Sequence, residues 1–160
     1  MTVDIVPGYE RPREEGELFG EYTDMLIAGD SAFQAYLAIQ HYDEELNQLE
    51  VKYGPPGGRL YLAYCDGELA GCIGMRNLDG QSCEMKRLYV RPRFRGNRIG
   101  DRLVGRIIVD AKEAGYSHIQ LDTLPFLKSA IRMYRRYGFY ETASYNDSPM
   151  DTSIYMRLDL

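Results

Sequence analysis

The run Arg91-Pro92-Arg93-Phe94-Arg95-Gly96-Asn97-Arg98-Ile99-Gly100 sets four arginines and two glycines in ten positions of a chain whose net charge is −5. Positive charge at that density, on a backbone that glycine leaves uncovered, suits an anion. The run lies between an alternating apolar segment at 83–90 and a helical repeat over about 98–114. The first amides of a helix have no internal partners, and the helix dipole adds partial positive charge there. A strand, a glycine-bearing turn and a helix start therefore form a site for phosphate groups. From Lys86 to Arg106 the cations are Lys86, Arg87, Arg91, Arg93, Arg95, Arg98, Arg102 and Arg106, opposed only by Asp101. The charge is local, so its anion is compact and multiply phosphorylated. The same residues also fit a plainly solvated basic face. Gly-Lys followed by Ser or Thr is absent, and so is GxGxxG, which argues against a Walker-type loop and a dinucleotide fingerprint.

The elements that must position this turn read as one domain over 1–160, a length that buries roughly 70% of the unfolded surface. Hydrophobic content of 44% and charged content of 27% are those of an ordinary globular chain. The acidic total argues against a general nucleic-acid binder. His41 and His118 make no metal-ligand pattern, and none is expected. Cys65, Cys72 and Cys83 contain no CxxC pair and read as reduced, packed thiols in a cytoplasmic setting. No signal peptide or membrane-spanning run is found, so no membrane partner is expected.

Val3 and Ile5 alternate in a short strand at 2–6. Leu18, Tyr22, Met25 and Leu26 recur at helical spacing over 12–28, and a second helical stretch covers about 31–49. The Gly-Pro-Pro-Gly-Gly break at 54–58 is a loop inside the domain, because the segment before it is too sparse to close its own core. The period then changes to two. Segments 60–65 and 68–75 form a hairpin about Asp66-Gly67, and 83–90 is a third strand after the Asp79-Gly80 turn. On that strand Glu84, Lys86 and Leu88 would share a face. Ile99, Leu103, Ile107 and Ala111 form the stripe of the next helix, and Gly115 stands where a helix ends. A strand at 118–123, a helix at 127–137 and strands at 139–143 and 154–158 complete an α/β (α+β) domain with a mixed sheet.

The segment Glu84-Met85-Lys86-Arg87-Leu88-Tyr89-Val90 and the turn Arg95-Gly96-Asn97-Arg98-Ile99-Gly100 resemble the acetyl-CoA-binding core of the GCN5-related N-acetyltransferase (GNAT) family, with its (Q/R)-x-x-G-x-(G/A) turn. Downstream, Ala130-Ile131-Arg132-Met133-Tyr134-Arg135-Arg136-Tyr137-Gly138-Phe139 resembles the second signature, A-x-x-x-Y-x-x-x-G-F. The two are separated by a helix and a strand, as in the family. The resemblance implies a mixed, mostly antiparallel sheet of about six to seven strands, acetyl-CoA as co-substrate and an unidentified amine as acceptor. It implies that amides from Gly96 to Asp101 (Gly96, Asn97, Arg98, Ile99, Gly100, Asp101) hold the CoA diphosphate, with Arg95 nearby. Leu88, Tyr89 and Val90 would pair with the pantetheine amides, at a strand end where family members bulge and splay two parallel strands around a cleft for the acyl chain. Arg132, Arg135 and Arg136 are candidates for the adenosine-side phosphate.

By the same resemblance Tyr134 protonates the departing thiolate and Glu84 is the base. A carboxylate there would need desolvation to raise its pKa; the other reading pairs Glu84 with Lys86 or an arginine. Cys83 as a covalent acetyl carrier is weaker than a packed strand cysteine. Position 98 is Arg where the family usually has Gly, and an ordinary negative φ would suffice at a first helical turn. Leu127 replaces a frequent asparagine. The acidic residues Asp43, Glu44, Glu45, Asp147 and Asp151 could draw a cationic amine. The motif Asp30-Ser31-Ala32-Phe33-Gln34 resembles that of small bacterial members. A homodimer follows only from family habit. The expected activity is acetyl transfer to a primary amine; a non-catalytic acyl-CoA-binding sensor is the alternative, and a small nucleic-acid binder the more remote one.

Overall fold

The structure is a computed structural model that describes residues 1–29, 45, 47–146 and 152–160. The motif at 30–34 and most of the helical stretch expected at 31–49 lie outside the described residues. The described elements are β1 (Val3–Pro7), α1 (Pro12–Gly29), α2 (Leu49–Tyr53), β2 (Arg59–Cys65), β3 (Glu68–Asn77), β4 (Ser82–Val90), α3 (Ile99–Glu113), β5 (His118–Thr123), α4 (Lys128–Tyr137), β6 (Tyr140–Thr142) and β7 (Ile154–Asp159). The seven strands form one sheet in the order β1-β2-β3-β4-β5-β7-β6. Every pairing is antiparallel except β4 with β5.

Local sequence explains most boundaries. Asp66 and Gly67 both take positive φ (51° and 83°), which the two-residue turn between β2 and β3 requires. Gly115, at φ 89°, ends α3. The α3 stripe of Ile99, Leu103, Val104, Ile107 and Ala111 is buried against Met75, Met85, Ile119 and Leu121 on one face of the sheet. Leu18 and Phe19 of α1, with Leu49 and Tyr53 of α2, cover Leu60, Leu62 and Cys72 on the other. Buried on both faces, β2 and β3 read as near-continuous apolar runs.

The alternation expected to set Glu84, Lys86 and Leu88 on one face stops at Lys86. Gly74 pairs with Lys86 and Cys72 with Tyr89, so two steps along β3 face three along β4. Arg87 sits in the extra step with φ 59°, a bulge that reverses the faces beyond it. Leu88 and Val90 consequently pack on the α3 side, and Tyr89 joins the α1 side. Gly71 permits the close approach of the two strands past the bulge, where a Cβ would lie 2.6 Å from the Tyr89 carbonyl oxygen.

The α1 side also holds charge. The Arg87 guanidinium donates from Nε to Glu45 Oε2 at 2.9 Å with both side chains buried, and Lys52 pairs with the same carboxylate. Burial would raise the Glu45 pKa, but attraction to Arg87 and then Lys52 outweighs it and brings it down to about 2. Glu45 is thus neutralised inside the fold, where the sequence suggested an exposed acceptor-side acid.

Glu15 of α1 is fully buried, and both its carboxylate oxygens lack a hydrogen-bond partner among the described residues. Burial, with Glu45 and Glu14 adding repulsion, pushes its pKa up to about 9. The folded value lies above the unfolded one, so Glu15 contributes its full stability below about pH 4.3 and loses it as pH rises toward 9. Glu15→Gln, neutral at every pH, should therefore be more stable than the parent at pH 8 by about 1–3 kcal/mol. Urea unfolding should show that advantage vanishing near pH 5; parallel pH profiles for the two proteins would contradict it.

Candidate active site

The turn before α3 is built from alternating backbone conformations. Gly96 takes φ 86° and Arg98 takes φ 60°, ψ 23°, both left-handed. The ordinary negative φ expected for Arg98 is therefore not what the chain adopts; arginine occupies a conformation glycine would hold without steric cost. Among the described residues, the amides of Gly96, Asn97, Arg98, Ile99, Gly100 and Asp101 donate no hydrogen bond. The first amide of the helix to do so is Arg102, to the Arg98 carbonyl at 3.1 Å. Amides exposed in succession through such a turn form an anion-binding concavity at the positive end of the helix dipole. Ile99 is buried in the core and fixes the turn from below. Asp101 pairs with Arg136, and its carbonyl accepts the Tyr137 hydroxyl at 2.9 Å, so α4 is tied to the start of α3.

Most of the basic run serves the fold. Lys86 pairs with Glu84, Arg87 with Glu45, Arg91 with Glu17 and Glu21 of α1, Arg93 with Glu68 and Arg106 with Asp110. Arg95 reaches back to donate from Nε to the Val90 carbonyl at 2.9 Å, over the Tyr89 ring. Arg98 and Arg102 are exposed and carry no ion pair among the described residues. Arg135, also exposed on α4, is likewise without one, whereas Arg136 is engaged by Asp101. Arg132 donates to Ser129 at 3.2 Å.

A cleft opens where the parallel ladder ends. β4 and β5 pair through Ser82–His118, Cys83–Ile119 and Glu84–Gln120 and then part. β4 contributes Met85, Lys86, Arg87 and Leu88 to its wall, and the end of β5 contributes Leu121, Asp122 and Thr123. Tyr22 and Leu26 of α1, Leu124, Leu127, Tyr134 of α4 and Ser153 complete it. Of the strand-end tripeptide, only Leu88 lines the cleft. Val90 lends its carbonyl to Arg95, and Tyr89 is buried against α1, its hydroxyl donating to Glu21 at 3.3 Å.

Tyr134 is buried, and its ring packs 5.7 Å from that of Phe139. Its hydroxyl makes no hydrogen bond among the described residues. Burial, then the Tyr22 and Asp122 side chains, raise its pKa well above the usual phenol value, so it stays protonated. Glu84 is buried but does not line the cleft. Arg76 donates to its Oε1 at 2.7 Å, and the Tyr145 hydroxyl to its Oε2 at 2.7 Å. Burial raises its pKa, yet attraction to Lys86 and Arg76 with the Tyr145 hydrogen bond gives a net value below the usual carboxylate range. The raised pKa that a base would need is therefore not found, and the alternative pairing with Lys86 and an arginine, Arg76, is; Glu84 is a shielded, ionised carboxylate. Cys83 is packed in the core on the α3 side, its thiol pushed up to about 12 by burial, and is no nucleophile at neutral pH. The sequence reading missed Tyr22, Asp122, Thr123 and Ser153. Their only available signal was position beside the strand ends.

Residues 24–139 match the model of the acetyltransferase (GNAT) family. The chain belongs to that family. An uncharacterized N-acetyltransferase of Schizosaccharomyces pombe is 42% identical over 78% of this chain and 77% of its own. One from Dictyostelium discoideum is 31% identical across the full length of both. GNAT relatives thus include eukaryotic proteins, and the bacterial narrowing expected from the motif at 30–34 is not supported. In fold, the PaiA N-acetyltransferase of Thermoplasma acidophilum, crystallised with coenzyme A, superposes with a TM-score of 0.76 over all of both chains at 17% identity. PseH of Campylobacter jejuni, solved with acetyl coenzyme A, gives 0.64 at 18% identity over 99% of each.

The turn yields a conformational test. A Cβ at Gly96 would meet no atom within 4 Å, so any cost of Gly96→Ala comes from φ alone. It should lower stability by about 1 kcal/mol, while Arg98→Gly should leave it level or raise it. Denaturant midpoints of the two variants check this, and the reverse order would contradict the left-handed turn.

Proposed function

We propose that this GNAT protein transfers the acetyl group of acetyl-CoA to a primary amine by direct attack within a ternary complex. One observation carries the reading: a run of amides from Gly96 to Asp101 that meet no acceptor among the described residues, in the turn that follows β4, whose residues Met85 to Leu88 line the cleft. A diphosphate satisfies such amides by accepting from them, and the amides, being neutral donors, cost no buried countercharge. Arg98 and Arg102, exposed at the helix start, and Arg135 on α4 add positive charge for the remaining phosphate. The unpaired edge of β4 beyond Glu84 suits an extended amide chain added as a further strand. The fission-yeast and slime-mould relatives are named as N-acetyltransferases and the Thermoplasma protein was crystallised with coenzyme A, which supports the same co-substrate.

In this reading the amine nitrogen attacks the thioester carbonyl carbon. A C–N bond forms, the C–S bond breaks, and the thiolate takes its proton from Tyr134, whose hydroxyl is protonated and bonds no described residue. The attacking nitrogen becomes strongly acidic as the C–N bond forms. A carboxylate of lowered pKa can then take its proton, and Glu84 does so through the Tyr145 hydroxyl that bonds it, without touching the amine.

Calorimetry should record heat when CoA is titrated into the protein, and a screen of acetyl-CoA with amines, amino acids, polyamines and peptides should release free CoA. Tyr134→Phe should lower kcat by about 100-fold with little change in the acetyl-CoA Kd. No heat with CoA would sink the reading. Binding without turnover across the whole panel would leave a sensor of acyl-CoA, and indifference to Tyr134→Phe would remove the tyrosine from the chemistry.

A further inference from the structure

Lys86 lines the cleft, and its side chain is only 7% exposed. Among the described residues its one charged neighbour within salt-bridge range is Glu84, with Nζ 3.7 Å from Oε1, beyond hydrogen-bond reach. Both Glu84 oxygens are already bonded at 2.7 Å, by Arg76 and by Tyr145. The ammonium therefore carries three N–H donors with no acceptor among the described residues. Arg87, beside it in the wall, is held by Glu45. An ammonium desolvated without acceptors is costly, which its pKa, lowered by burial and then by Arg87 to about 8, also reflects. Such a group is cheap to keep only if the molecule that enters supplies the missing acceptor. Across the cleft Asp122 accepts from Asn146 Nδ2 at 3.1 Å and stands as the opposite charge in the wall. An acceptor with an amino group and an anionic group a few bonds apart matches this pair of charges.

We propose that Lys86 is the anion-recognising group of the acceptor site, and that the amine acetylated here carries a carboxylate close to its amino group. The inference rests on the acetyl-transfer reading above and names its substrate class. The carboxylate bonds the Lys86 ammonium as a charge-assisted pair in a site of low dielectric, which fixes the amine in one orientation toward the thioester. Removing the carboxylate leaves Lys86 desolvated and unanswered in the complex, so discrimination is built into the site as well as attraction.

The test pairs each free α-amino acid with its α-carboxamide, following CoA release from acetyl-CoA. At least one acid should exceed its amide in kcat/KM by about ten-fold or more. In Lys86→Met that ratio should collapse toward one, chiefly through KM for the acid, and Lys86→Arg should restore part of it. Thermal unfolding of each variant and its acetyl-CoA Kd show whether the site remains assembled. Amides used as well as acids, or equal loss on both in Lys86→Met, would overturn the carboxylate assignment while leaving acetyl transfer standing. Acetylation of Lys86 itself, seen by intact mass with acetyl-CoA alone, would overturn it too, since the lysine would then be an acceptor. Failure to bind CoA at all would instead remove the reading beneath it.

Discussion

Arg87 takes a left-handed conformation in the middle of a strand, and the arrangement around the cleft follows from how that conformation is held. A non-glycine residue at φ 59° costs free energy that neighbouring contacts must offset. Here the guanidinium is locked against Glu45 within the α1 side of the fold, with the Phe19 ring 5.9 Å away. A buried pair of this kind adds little net stability over an apolar pair of the same size, but removing one partner strands the other at a cost of about 3–5 kcal/mol. The pair therefore favours the bulged register of β4 over one that would leave Arg87 and Glu45 buried apart. Beyond the bulge Leu88 turns to the α3 side and Tyr89 to the α1 side, as the parallel ladder to β5 has already lapsed.

The charge distribution follows the same logic. A chain acidic overall concentrates cations between Lys86 and Arg106, and the fold then consumes most of them: Arg91 and Arg93 pair with α1 and β3, Arg87 and Lys86 with Glu45 and Glu84, and Arg106 with Asp110 inside α3. What remains for a ligand is mainly neutral donors, the amides before α3, with Arg98, Arg102 and Arg135 at the rim. Selectivity for a compact anion is then a matter of geometry, which a run of arginines alone would not supply.

Elements fixed by local chemistry were legible in the sequence. Asp66-Gly67 needs positive φ twice, Gly115 ends a helix by the same means, and the Ile99–Ala111 stripe admits one face. The parting of β4 from β5 and the placement of Tyr134 beside it followed from the two linked signatures. Features decided by residues far apart in the chain were not legible. Nothing near Arg91 announces Glu17 and Glu21 some seventy positions earlier, and although the family resemblance implied a bulge at the end of β4, nothing beside Arg87 announces that Glu45 holds it. For Glu84 the sequence left two readings, a desolvated base or a partner of Lys86 or an arginine; the ion pairs with Arg76 and Lys86 match the second, while the Tyr145 hydrogen bond was not foreseeable. Arg98 resisted for a different reason: arginine tolerates the left-handed region without advertising it.

The sheet is zipped as two leaves, β1–β4 and β5-β7-β6, sewn together by only three residue pairs at one end of β4 and β5. Elsewhere the leaves cohere through the apolar packing of α3 beneath them. A molecule lying along the seam and bonding both edges would supply stitches the polypeptide omits. Occupancy would then be felt as cooperativity: loaded, the leaves melt as one sheet, and amide exchange along β4 past Glu84 slows in step with that of β5.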